Sequence, residues 1–405
     1  MKRISIRERY STKNLGKGHP ISRAGSKLSV IRMHSLTGFV LGCTLVSLGI
    51  FISATGGSWD ITNHLLNKPE SFFSAPHAML YAGVASAIVG CGVMFRAYKS
   101  MHSSYQSLNT AGKLVITGIV MLLVAGPVDF AWHSAFGLDG LLSPPHFVLL
   151  MGMVISSLGS LFGIILCTNH NKLNDDGSDL ENVSRQQRLG ILDSLIFKRP
   201  YTAMILTIIG IMPIWLSLNG VVGMFSLPFS KTQYFDFNPD ASFAAILATV
   251  CYPFLLSLIL ISSFRLGKNS FGVLSITGSI YLVVSAVTVI IPNESLIPTL
   301  PFFLINLVPI IAVDVLLVMS KHRFQYIISL GGAILGTTFF MMYYPLITHV
   351  YNEVITKQTF VWPSLTSSLY FGMIGNIYPL IVVPGAAMGI IGAITANRII
   401  AHRFR

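Results

Sequence analysis

Aspartate and histidine four residues apart occur twice in this chain, and in each case twelve residues separate this histidine from a second one. The two sets are Asp60, His64 and His77, and Asp129, His133 and His146. Side chains four residues apart project from one face of a helix, about one turn apart. Two imidazoles and one carboxylate suit a divalent copper, iron or zinc ion. We therefore predict that each set binds a metal ion.

The two sets belong to a longer internal repeat. Residues 57–83 align without a gap on residues 126–152, and each residue has its counterpart 69 positions later. Each repeat is predicted to form a two-helix hairpin, and both loops emerge on the same side because an even number of spans separates them. Glu70 and Asp139 occupy equivalent positions in these loops. They are expected to add a ligand, to orient an imidazole or to relay protons.

The alternative to metal binding is an old duplication whose polar residues only hydrogen-bond to one another. Ionisable groups at the ends of membrane spans are costly, and they usually serve a function. Two histidines, two carboxylates and a proline (Pro76 and Pro145) recur at identical spacing. This repetition favours the metal-binding interpretation.

Composition predicts an all-α, polytopic membrane protein. Apolar residues make up 53% of the chain and charged residues only 10%, whereas a soluble domain has about 25% charged residues. Apolar stretches of about 20 residues, long enough to cross a bilayer as helices, recur about ten times. The predicted spans are 35–57, 75–97, 112–134, 144–167, 201–225, 242–264, 272–292, 299–319, 326–349 and 371–396.

The distribution of basic residues predicts the topology. All lysines and arginines except Lys68, Lys231 and Lys357 fall in alternate loops or in the terminal segments. The positive-inside rule then places both termini in the cytoplasm, and the predicted metal sites face the outer side of the cell membrane. The net charge of +12 accompanies no base-reading motif, so we expect contact with membrane lipids and none with nucleic acid.

The chain is predicted to have four parts. A basic cytoplasmic segment covers residues 1–34, a four-helix metal-binding domain 35–167, a polar cytoplasmic linker 168–200, and a six-helix membrane domain 201–405. Within the last part, Asp314 lies deep in an apolar span. We expect its carboxylate to hydrogen-bond between helices rather than to form a proton path.

The front half resembles the C subunit of the copper membrane monooxygenases, the particulate methane and ammonia monooxygenases. The resemblance lies in the pattern Asp-x3-His-x5-(Glu/Asp)-x6-His, over about residues 35–167. It implies one copper site at Asp60, His64 and His77 and another at Asp129, His133 and His146. The chain departs from the family at the second site, where Asp129 stands at a position that is usually asparagine.

The back half carries a weaker likeness. Residues 299–346 resemble the A subunit of the same complexes, which implies a fused C-plus-A arrangement. The resemblance also implies an outer-side cupredoxin-like subunit, an electron donor, and homo- or hetero-oligomers. No segment of this chain looks like the cupredoxin-like subunit itself.

The function predicted first is copper-dependent oxygen activation in a membrane-embedded monooxygenase-like protein or subunit. A metal-ion or proton-coupled transporter also fits the spans and the parallel repeat. A non-catalytic metal-binding assembly protein is the third alternative.

Overall fold

The structure is a computed structural model. It describes residues 21–65, 71–101, 106–136, 142–175, 200–226, 241–320, 324–339, 342 and 363–403. This part of the chain is helical and contains no strand. Eight helices are long and apolar enough to cross a membrane, which confirms the predicted all-α membrane fold.

Seven long helices correspond to the first seven predicted spans, and the first helix extends well beyond its span at both ends. They are α1 (Ile21–Leu65), α2 (Ala75–Lys99), α3 (Gln106–Phe136), α4 (Pro144–Asp175), α5 (Pro200–Ser226), α6 (Ala241–Leu266) and α7 (Val273–Ile290). The back half continues with a 3₁₀ helix (Glu294–Thr299), α8 (Leu300–Ile305), α9 (Leu307–Met319), α10 (Phe324–Ile334), a π-helical turn (Leu335–Phe339) and α11 (Pro363–Arg403).

The predicted span at 299–319 is an interrupted helix. The break falls at Asn306, between α8 and α9. Pro309 accounts for it, because proline has no amide hydrogen for the carbonyl of Ile305 and its ring crowds that carbonyl. The predicted span at 326–349 is described only in part, through α10, the π-helical turn and residue 342.

Glycines let the two helices of each hairpin approach within backbone contact. A Cβ atom added to Gly49 would lie 2.6 Å from the carbonyl oxygen of Gly83 and from the amide nitrogen of Ala87. Helix α1 therefore packs on α2 more closely than any larger side chain would allow. Glycine at such positions makes each helix intrinsically less stable. Close packing of the two backbones offsets this loss of stability.

The second hairpin repeats these contacts at the equivalent positions. A Cβ atom on Gly118 would lie 2.5 Å from the Gly152 carbonyl oxygen and from the Ser156 amide nitrogen. Gly118, Gly152 and Ser156 lie 69 positions after Gly49, Gly83 and Ala87, so the offset of the repeat continues beyond its aligned ends. The repeat seen in the sequence is therefore also a repeat of helix packing.

The front and back halves share one buried apolar core. It extends from Leu36 in α1 to Ala396 in α11 and includes Trp215 of α5. Within the front half, the Ser47 hydroxyl of α1 and the Ser160 hydroxyl of α4 are 2.8 Å apart, which holds the two hairpins together. Helix α4 extends to Asp175, into the predicted linker, and residues 176–199 lie outside the described part.

Asp314 joins α9 to the start of α7. Its Oδ2 atom accepts hydrogen bonds from the Gly272 amide (3.0 Å), the Ser275 amide (2.9 Å) and the Ser275 hydroxyl (2.6 Å). The side chain is fully buried. The first amides of a helix have no partner within it and carry partial positive charge, which a carboxylate compensates. This agrees with the prediction that Asp314 bonds between helices.

The glycine packing is tested by two alanine substitutions in α2. At Gly90, an added Cβ would lie 2.7 Å from the Gly42 carbonyl oxygen, whereas at Gly92 it would meet nothing within 4 Å. We expect Gly90→Ala to lower the free energy of unfolding by about 1–3 kcal/mol, because the helices must separate. Gly92→Ala should leave it unchanged or raise it by about 1 kcal/mol through helix propensity. Unfolding in mixed detergent micelles measures both, and equal effects of the two variants would contradict the packing.

The role of Asp314 is tested by Asp314→Ala. The substitution leaves the α7 amides buried without their acceptor, so we expect a loss of about 2–3 kcal/mol in the free energy of unfolding. Glu294→Ala serves as the control, because Glu294 is an exposed carboxylate at the start of the 3₁₀ helix. A surface change of this kind should cost less than about 0.5 kcal/mol. An Asp314→Ala variant as stable as the control would refute the capping role.

Candidate metal centre

Three predicted ligands of the second repeat come together at the end of its hairpin. Asp129 and His133 lie one turn apart on α3, and His146 lies in the first turn of α4. The Oδ1 atom of Asp129 is 3.6 Å from Nε2 of His133 and 3.3 Å from Nε2 of His146. One donor atom from each of the three residues falls within 4.8 Å of the other two. Each side chain is half-buried, so the group is accessible yet sheltered.

Local sequence signals place His146 at this position. Pro144 and Pro145 begin α4, and proline is favoured in the first turn of a helix. Just before them, the Ser143 hydroxyl accepts a hydrogen bond from the His146 amide at 3.4 Å, which caps the helix. The start of α4 is thereby fixed, and His146 faces the last turns of α3.

The first repeat brings Asp60 and His77 together in the same way. Nε2 of His77 lies 3.0 Å from Oδ1 of Asp60. On the other side of the ring, Nδ1 lies 3.0 Å from the Ser71 carbonyl oxygen. A carbonyl oxygen only accepts hydrogen bonds, so Nδ1 carries the hydrogen. A neutral imidazole with its hydrogen on Nδ1 has its lone pair on Nε2, the nitrogen nearer Asp60, and this is the tautomer that a metal ion between His77 and Asp60 would require.

The donor spacings fit first-row transition metals. At metal–ligand distances of about 2.1 Å, the 3.3 Å and 3.6 Å separations around Asp129 correspond to angles between about 100° and 120°. The 3.0 Å separation in the first repeat corresponds to about 90° at the same metal–ligand distance. Mixed imidazole and carboxylate donors suit zinc, copper and iron. The donor types and the separations that involve the two aspartates are therefore compatible with such an ion.

Three predicted site residues lie outside the described part of the chain. They are Glu70, Asp139 and the side chain of His64. The backbone of α1 continues through position 64 to Leu65, so position 64 lies one helical turn beyond Asp60, as Asp129 and His133 are arranged in α3.

Two aromatic residues near the sites were not predicted as site residues. The Phe72 ring, before α2, is centred 5.0 Å from the ring of Tyr81 in α2 and 5.6 Å from the ring of Phe130 in α3. Tyr81 lies one turn after His77, at 6.0 Å between ring centroids. Phe130 directly follows Asp129 in the chain, so the Phe72 ring contacts both α2, which carries His77, and the part of α3 that carries Asp129. The two sites are therefore neighbours.

A sequence signal for these aromatic residues does exist. Phe72 and Tyr81 stand where the second repeat has Leu141 and Leu150, so they are points at which the two repeats differ. The contact of the Ser71 carbonyl with His77 has no such signal, because every residue type carries a carbonyl group.

Comparison with protein-family models, with curated proteins and with solved structures found no match to this chain.

Removal of one ligand tests the second site. We expect His146→Ala to weaken metal binding there by more than about 100-fold, because loss of an outer-shell partner alone costs about 10- to 100-fold. His402→Ala is the control, since His402 is exposed at the end of α11. Competition titrations against a chelator, with Zn²⁺ and Cu²⁺ in turn, measure the affinity. If His146→Ala binds metal as tightly as the control, these residues do not form a metal site.

Proposed function

We propose that this chain is a membrane-embedded, copper-dependent monooxygenase-like protein or subunit that activates O₂ at its histidine and carboxylate sites. The observation that supports it most is the convergence of Asp129, His133 and His146 within 4.8 Å. The same three residues belong to the repeated motif that resembles the copper membrane monooxygenases. The repeated spacing of these residues in the chain and the convergence of their donor atoms both support metal binding as the basis of the proposed function.

Copper is the metal that we propose, with iron and zinc as the alternatives. Imidazole donors suit all three ions, and affinity for divalent ions peaks at copper. When bound, copper would supply the redox chemistry by which O₂ is reduced and one oxygen atom is transferred to a substrate. The protein contributes the geometry of the site and its surroundings.

The residues of this chain have distinct tasks in the proposal. Asp60 and Asp129 each supply one negative charge, which lowers the net charge of a bound divalent ion. The Ser71 carbonyl holds His77 in one tautomer through Nδ1, so that Nε2 stays directed at the site. The apolar helices around the sites limit the access of water, which strengthens the electrostatic interactions there. Glu70 and Asp139 are proposed to tune the metal or to relay protons.

The location proposed for the sites is the outer face of the cell membrane. Both hairpins carry their ligands at the same end: at the end of α1 and α3 and at the start of α2 and α4. The basic loops predict that this end lies outside. An electron donor and a cupredoxin-like partner subunit would then approach from that side.

Transport is the less favoured alternative, for a geometric reason. Carriers with internal repeats typically bind their substrate near the middle of the membrane, at broken helices. The ligands here lie at helix ends, and α1 to α4 are continuous helices past the ligand positions.

The proposal is tested by metal analysis of the full chain purified in lipid nanodiscs. We expect copper to bind at both sites, with nitrogen hyperfine coupling in the electron paramagnetic resonance (EPR) spectrum of Cu²⁺. Chemically reduced samples should be reoxidised by O₂. His133→Ala should remove one of the two copper signals, whereas His402→Ala should retain both. A chain that takes up no copper, or that binds it equally well without His133, would contradict the proposal.

The enzymatic half of the proposal needs its own measurement. In native membranes supplied with a quinol, we expect ¹⁸O from ¹⁸O₂ to appear in oxidised ammonia, methane, a longer alkane or lipid. The signal should disappear in the Asp129→Ala variant. If copper binds but none of these four substrates gains ¹⁸O, the chain is a metal-binding protein rather than an oxygenase.

A further inference from the structure

The ring of Phe72 contacts both repeats. It belongs to the short segment before α2, and it packs edge-on against Phe130 of α3 with 5.6 Å between centroids and 88° between ring planes. It also packs against Tyr81 of α2 at 5.0 Å. We call these three residues the aromatic bridge. Its members come from the first hairpin and from the second, so it spans the space between the two candidate sites.

Each residue of the aromatic bridge adjoins or contacts a candidate metal-site residue, or adjoins a group that contacts one. Phe130 follows Asp129 in the chain, so the position of its ring is tied to the backbone that carries Asp129. Tyr81 lies one turn after His77, with 6.0 Å between the ring centroids. Phe72 itself follows Ser71, whose carbonyl oxygen lies 3.0 Å from Nδ1 of His77. A shift of the Phe72 ring therefore moves groups that orient ligands of both sites.

The aromatic bridge does not follow from the duplication. The counterparts of Phe72, Tyr81 and Phe130 are Leu141, Leu150 and Ile61, all aliphatic. The difference has a structural consequence at Leu150, which packs against α5: its Cδ2 lies 2.9 Å from the position that a Cβ on Gly220 would take. The second repeat thus packs on the back half at this position, whereas in the first repeat Tyr81 packs against Phe72 of its own hairpin.

We propose that Phe72 is a positioning residue shared by the two metal sites. Ligands must be held within about 0.5 Å of their productive positions, and packing of neighbouring side chains is what locks such rotamers. A leucine at position 72 keeps the apolar character but lacks the flat ring whose edge and face meet Phe130 and Tyr81. The inference rests on the proposed function, since it requires both sites to bind copper.

The test compares three variants of the full chain in lipid nanodiscs. Phe72→Leu removes the ring, Phe72→Tyr restores it, and Phe95→Leu makes the same aromatic-to-leucine change near the opposite end of α2. Phe95 is 50% exposed and Phe72 is 44% exposed. The two rings are therefore buried to a similar extent, and replacing either by leucine should remove a similar amount of packing. Each variant is combined with His77→Ala or with His146→Ala, so that one site at a time is measured.

We expect Phe72→Leu to weaken Cu²⁺ binding about 10- to 100-fold at both sites, as the loss of an outer-shell partner does. The copper hyperfine splitting in the EPR spectrum should change at both sites, which general destabilisation of the fold would not cause. Phe72→Tyr should restore affinity and spectrum, and Phe95→Leu should alter neither.

The opposite outcomes separate this inference from the proposed function. If the parent chain binds copper at both sites and Phe72→Leu changes neither site, or only the first, the shared role of Phe72 is wrong and the proposed function stands. If the parent chain binds no copper, the proposed function itself is overturned, and the role of Phe72 is overturned with it.

Discussion

The close approach of paired helices at glycine is the constraint on which the candidate sites depend. In the first hairpin, a Cβ on Gly56 would lie 2.8 Å from the Leu80 amide and 3.0 Å from the Pro76 carbonyl oxygen. Asp60 stands one turn beyond this crossing on α1, and His77 directly follows Pro76 on α2. At this helix separation, a short aspartate side chain and an imidazole reach each other. If α1 and α2 were farther apart, longer side chains would be needed for the two residues to reach each other.

Carboxylates in this protein are compensated in two different ways. Asp314 is surrounded by three donors at the start of α7, so its charge is compensated by helix amides and a hydroxyl. The carboxylates of the hairpins instead face imidazole nitrogens, at 3.0 Å for Asp60 and 3.3 Å for Asp129. Imidazoles exchange a proton for a metal ion easily, whereas a helix N-terminus does not. Compensation by helix amides therefore suits a structural role, and an imidazole beside the carboxylate suits metal binding.

The sequence pattern predicted the features that depend on periodicity. It did not predict the features that depend on contacts between residues far apart in the chain. Apolar stretches of spanning length gave the helices, and the four-residue spacing placed Asp129 and His133 on one face. The apolar pattern predicted a continuous span over 299–319, but Pro309 within it is a local signal for the helix break at Asn306. The packing of Phe72 on Phe130 joins residues of different hairpins, and no periodicity reports such a contact. A repeat comparison finds only that position 72 differs from position 141.

Duplication followed by divergence makes the two sites unequal neighbours rather than copies. Tyr81 packs against Phe72 of its own hairpin and Leu150 packs against α5, although the two positions are equivalent in the repeat. Both candidate sites therefore border the aromatic bridge, and the second hairpin also packs on the back half through Leu150. The Phe72 ring packs against Tyr81 of α2 and Phe130 of α3, so side-chain packing links the surroundings of the two candidate sites. The two hairpins are therefore packed neighbours, and their candidate sites have different surroundings although the pattern of ligand residues repeats.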